Sequence, residues 1–193
     1  MNFLAHTLFA DNDELIVVGQ YCGDFVRGGN LEQFPAGIRE GIRRHRRIDT
    51  FTDQHPVNLR ARNFFEKPLR RFAGIITDVV YDHYLARNWS LYSDQSLENH
   101  AAFVYAALAK HKSLMPPVLQ RFSEVVIQRD MLVAYREFDA VEMALGRIAN
   151  RSSRFQVLAT AAGITRELDE PLSACFAEFA PELIEHVASI IED

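Results

Sequence analysis

The chain has 193 residues, 48% of them hydrophobic and 24% charged, with a net charge of -5 and two cysteines. That composition excludes a disordered, collagen-like or coiled-coil protein, and Cys22 and Cys175 can make neither a disulfide framework nor a CxxC metal site. No run approaches the roughly 18 apolar residues needed to span a bilayer, and the opening MNFLAHTLFADNDELIVV lacks the basic leader of a secretory signal; a soluble cytoplasmic protein without membrane association is expected.

Apolar residues recur at three- and four-residue spacing along nearly the whole chain, which predicts an all-α fold. The expected helices run over about 2–10, 13–26, 35–54, 56–66, 68–90, 95–113, 116–128, 130–150, 153–162 and 167–192. Gly28-Gly29-Asn30 is expected to end the second of these. Pro35, Pro56, Pro68 and Pro116 stand where a first helical turn tolerates a missing N–H. Pro181 is expected to break or kink the last segment into two shorter helices. No linker, repeat or low-complexity segment appears, so residues 1–193 are read as a single helical domain.

The charge is unevenly spread. From Arg39 to Arg71 stand ten basic and four acidic residues, a window of +6, leaving -11 for the remainder. Such a segment can steer an anionic partner or merely solvate a helix face. Nucleic acid is disfavoured as that partner, because aromatic residues do not alternate with the arginines as a stacking platform would require.

Groups that are awkward to bury concentrate before residue 90. His45, Asp49 and Asp53 fall at i, i+4 and i+8 of one expected helix, and an imidazole and a carboxylate one turn apart can ligate one cation. Asp78, Asp82 and His83 lie among Ile75, Ile76, Val79, Val80 and Leu85, so this helix is expected to be largely buried, and buried carboxylates need a cation, hydrogen bonds or protonation. His6, among Phe3, Leu4, Leu8 and Phe9, reads as a core histidine or a ligand. Asp24 reads as a ligand, a helix cap or a partner of Arg27. His55, His100, His111 and His186 are read as structural or exposed.

A donor set of imidazoles and carboxylates without thiolate suits Mn²⁺, Mg²⁺ or Fe²⁺ better than structural Zn²⁺. GxSxG, HExxH, P-loop and GxGxxG motifs are all missing, which lowers serine hydrolases, zincins, kinases and Rossmann enzymes. A His/Asp constellation beside arginines favours phosphoester hydrolysis. The rival readings are a nucleotide phosphohydrolase and a non-catalytic helical module that binds acidic proteins.

The segments Asn2-Phe3-Leu4-Ala5-His6, Gly23-Asp24-Phe25-Val26-Arg27-Gly28, His45-Arg46-Arg47-Ile48-Asp49-Thr50-Phe51-Thr52-Asp53 and Asp78-Val79-Val80-Tyr81-Asp82-His83 closely resemble, in order and spacing, the acyl carrier protein phosphodiesterases. This resemblance implies removal of 4'-phosphopantetheine from holo acyl carrier protein, with Mn²⁺ as the usual metal, on a distorted relative of the HD-domain phosphohydrolases. The sequence departs from the HD pattern in having no adjacent His-Asp pair. The metal ligands are expected among His6, Asp24, His45, Asp49, Asp78 and Asp82. Asp24, Arg27, Arg46 and His83 are expected at the reacting phosphodiester, with Arg27 and Arg46 orienting it. The docking surface for the acidic carrier protein is expected from Arg43, Arg44, Arg47, Arg60, Arg62, Arg70 and Arg71.

Overall fold

The computed structural model describes residues 3–10 and 12–192, with side chains described to residue 190. Eleven α-helices and short 3-10 turns account for most of these residues, and no strand occurs among them. The chain folds as two compact units, each built from separated stretches. One comprises Phe3–Asp49 and Asn88–Ala134; the other takes Thr50–Arg87 and the segment from Tyr135 onward. Because neither unit is contiguous, no linker marks a boundary in the sequence.

The first unit holds α1 (Phe3–Leu8), α2 (Glu14–Cys22), most of α3 (Ala36–Gln54), α6 (Leu97–Lys110), α7 (Pro117–Gln128) and α8 (Met131–Ala134). Asp13 starts α2 by accepting hydrogen bonds from the Leu15 and Ile16 N–H groups at 2.8 and 3.1 Å, satisfying two of the donors that every helix start leaves open. Helices α2 and α3 cross backbone against backbone. A Cβ on Gly19 would lie 2.4 Å from the Ile38 carbonyl oxygen, and one on Gly41 would lie 2.3 Å from that of Ile16. This crossing carries the end of α2 onto the middle of α3. Helix α2 stops at Cys22, four residues earlier than expected, where Gly23 donates to the Gln20 carbonyl and Phe25 to the Cys22 carbonyl, three residues back instead of four, and the last turn tightens. Gly28, with φ +86°, lies in the loop beyond rather than at the helix end.

The second unit holds the end of α3, then α4 (Pro56–Arg62), α5 (Ala73–Arg87), α9 (Asp139–Ala149), α10 (Ala161–Glu167) and α11 (Asp169–Glu192). Helix α5 is buried almost all round, as expected, and Asp82 is inaccessible to solvent. The expected helix over 130–150 is broken into α8 and α9. Asp130, just before α8, takes φ +46°, and between α8 and α9 the Tyr135 carbonyl accepts from His83 Nδ1 at 2.7 Å. Pro181 does not divide the last segment, since α11 runs through it. Pro181 is exposed, while Phe179, Leu183, Val187 and Ile190 keep one buried seam on both sides of it.

Candidate metal centre

His45 sits midway along α3 with Asp49 one turn on, and α1 brings His6 against them. His6 and His45 stack face to face, 3.8 Å between centroids and 16° between planes. Asp49 serves both rings: Oδ1 lies 3.2 Å from His6 Nε2 and Oδ2 lies 3.1 Å from His45 Nε2. Asp24, on the turn after α2, adds Oδ1 at 3.4 Å from His45 Nε2. The ligand atoms of His6, His45 and Asp49 all fall within 4.8 Å of one another. Both rings are buried, whereas Asp49 is 38% and Asp24 54% exposed, leaving the centre open on its carboxylate side.

The electrostatics divide the two histidines. Burial pulls His45 down, but the carboxylates of Asp24 and Asp49 outweigh it and raise the pKa to about 9. Burial and the charge of His45 lower His6 to about 4. Burial would raise Asp49, yet its contacts with His45 and His6 hold its carboxyl well below the usual range; Asp24 is lowered in the same way.

The donor set fits a divalent cation. Buried His45 Nε2 meets two carboxylate oxygens at 3.1 and 3.4 Å without hydrogen-bond alignment, the relation expected of atoms that share an ion rather than a proton. Two imidazoles with carboxylate oxygens suit first-row divalent metals.

The remaining expected residues are placed as follows. Asp53 is not in the group: eight residues from His45 it is turned roughly 80° around a helix of 3.6 residues per turn, and it pairs with Arg62 at 2.6 Å. Asp78, Asp82 and His83 lie in the other unit. His83 has its Nδ1 committed to the Tyr135 carbonyl and its ring edge-on to Phe138, a structural tie of α5 to the segment that precedes α9. Arg46 Nη2 donates to the Val26 carbonyl at 2.9 Å, and Arg27 is exposed on the same loop.

The arginine segment is not one free surface. Arg44 is 8% exposed and donates to Glu40 at 3.0 Å, so its expected docking role is corrected to a structural one. Arg60 pairs with Glu178, Arg62 with Asp53, and Arg70 bonds Asn63, while Arg71 lies over the Phe72 ring. Arg43 and Arg47 are exposed. Arg39, which opens the basic segment but stands outside the expected docking set, lines with Arg43, one turn on, an open basin of about 530 Å³ together with Gly29, Asn30, Leu31 and Glu32.

An all-helical chain that gathers two imidazoles and a carboxylate on one point defines a helical protein with a candidate metal centre. The family model described as acyl carrier protein phosphodiesterase matches residues 1–183. The acyl carrier protein phosphodiesterase of Escherichia coli O45:K1 is 33% identical over 192 residues, covering 97% of this chain and 98% of its own. That of Salmonella dublin is 36% identical over 159 residues, 82% of each chain. This chain therefore belongs to the acyl carrier protein phosphodiesterase family. No solved structure matches it. No helix among the described residues is long and apolar enough to cross a membrane.

Proposed function

We propose that this chain, acting as one domain over residues 1–193 in the cytoplasm, hydrolyses the phosphodiester between 4'-phosphopantetheine and a serine of holo acyl carrier protein, releasing apo protein and 4'-phosphopantetheine. The observation that carries this reading is the convergence of His6, His45 and Asp49 on one point in a chain of this family. These three residues, with Asp24 alongside, would hold the metal, and Mn²⁺ suits the mixed nitrogen and oxygen donors. A divalent ion bound there would lower the pKa of a coordinated water and offset phosphate charge. Having no adjacent His-Asp pair, the site departs from the HD-domain arrangement that the resemblance implies.

The chain's own groups divide the remaining work. Asp49 keeps His6 and His45 facing one point. Asp24, more than half exposed and ionised, has a second carboxylate oxygen able to accept a proton from the attacking water. Arg27 can reach non-bridging phosphate oxygens from the adjacent loop, where a guanidinium fork binds them bidentately. Arg39, Arg43 and Arg47 offer the acidic carrier protein its first contacts.

Incubation with holo acyl carrier protein and Mn²⁺, followed by intact mass, tests the proposal. Metal-dependent loss of the 4'-phosphopantetheine mass is expected; an unchanged carrier protein with metal bound would overturn it.

A further inference from the structure

Asp24 hangs on an exposed turn, yet the residues on either side of it are fixed by α3. On one side, a Cβ added to Gly23 would lie 2.2 Å from Cγ, 2.3 Å from Cδ2 and 2.7 Å from Nδ1 of His45. Gly23 has φ -50° and ψ -46°, a right-handed helical conformation open to any residue. Its lack of a side chain is therefore a matter of room for the imidazole and not of backbone freedom. On the other side, the Val26 carbonyl accepts the 2.9 Å hydrogen bond from Arg46 Nη2, while the Val26 N–H is held by the Cys22 carbonyl at 2.9 Å. His45 and Arg46 are consecutive on α3, and Gly23 and Val26 bracket Asp24.

We propose that His45 and Arg46 form a two-point clasp that presents the Asp24 carboxylate to the centre made by His6, His45 and Asp49. Arg46 is then a positioning residue that acts through Asp24, serving the loop in place of the phosphate-orienting role expected from sequence, while Gly23 leaves room for the His45 ring against that loop. The inference rests on the reading of this group as a metal centre. A carboxylate on an untethered turn would lose conformational freedom each time it engaged an ion, and the clasp spends that entropy at folding instead. Partners that orient a ligand typically change metal affinity about 10- to 100-fold when removed.

The test is Mn²⁺ binding to the purified full chain without substrate, read from the electron paramagnetic resonance of the free ion. Wild type that binds no Mn²⁺ removes the metal reading, and the clasp with it. If wild type binds, Arg46→Lys should weaken affinity about 10-fold or more, with Gly23→Ala at least as severe. Combining Arg46→Lys with Asp24→Asn should weaken it no further than Asp24→Asn alone, since the clasp has nothing left to present. Arg46→Lys affinity equal to wild type would overturn the clasp and leave the centre standing; so would an equal loss in the Asp24→Asn background, or an unchanged Mn²⁺ affinity with a raised KM for holo carrier protein. Should Gly23→Ala not fold by circular dichroism, Arg46→Lys and the double variant decide alone.

Discussion

One carboxylate, Asp49, bridges two histidines whose rings lie flat against each other: its oxygens sit 3.2 Å from His6 and 3.1 Å from His45. Two stacked imidazoles repel if both are protonated, and the structure resolves this by keeping the charge on His45 and leaving His6 neutral. Asp49→Asn removes the negative charge on which both rings depend. Turnover of holo carrier protein is expected to fall about 100-fold or more, beyond the usual cost of losing an outer partner, while circular dichroism remains helical. Near-normal turnover at saturating Mn²⁺ would remove Asp49 from the ligand set.

Proton competition follows from the same pair. A ligating imidazole must be neutral, and with a pKa of about 9 in the metal-free protein His45 carries a proton at pH 7 that the metal must displace. His6, at about 4, needs no deprotonation. Apparent Mn²⁺ affinity is expected to rise about tenfold per pH unit from 7 towards 9, with about one proton released. Titration calorimetry in buffers of different ionisation enthalpy measures that proton directly. In the metal-free protein the His45 contribution to stability is fully present below the unfolded value of 6.5 and is lost as pH rises through about 9.

Acid acts through the histidines that burial lowers to about 4, His100 as well as His6. His100 is buried against Thr7, with 3.0 Å between Nε2 and the threonine Oγ1, and burial lowers its pKa to about 4. Between pH 6.5 and 4 the unfolded chain binds a proton that the folded ring refuses, so stability falls as pH falls through that window. His100→Gln, which keeps a polar partner for Thr7, should flatten the dependence of melting temperature on pH between 6.5 and 4. An unaltered slope would place the acid sensitivity elsewhere.

Much of this was legible in the sequence because it is local. His45 and Asp49 are one turn apart on a helix, so spacing alone puts them together, and the apolar neighbours of Asp82 announce its burial. What escaped depends on contacts between elements. Nothing in the spacing says that α1 lays His6 on His45, or that Gly23 is empty to admit that ring. The break before α9 arises where His83 and Phe138 meet, and Pro181 stays within α11 because the seam from Phe179 to Ile190 outweighs one missing hydrogen bond. Arg44 looked like its neighbours in sequence, yet burial and Glu40 separate it from them.

That separation sets the last prediction. Arg43 and Arg47 are exposed on α3, Arg39 shares a basin with Arg43, and an acidic carrier protein would meet them first. Attraction between exposed charges is screened over roughly 8 Å at physiological salt, so it acts on encounter more than on chemistry. Catalytic efficiency on holo carrier protein should fall steeply as ionic strength rises, and a small phosphodiester lacking the protein should respond much less. Arg43→Glu or Arg47→Glu should lower the rate on the protein substrate at low salt and flatten its salt curve. Arg44→Ala should behave differently, lowering the melting temperature by the loss of a buried hydrogen-bonded group, about 1–3 kcal/mol, with the salt dependence kept. Parallel salt curves for the two substrates would show that the arginines only solvate the helix.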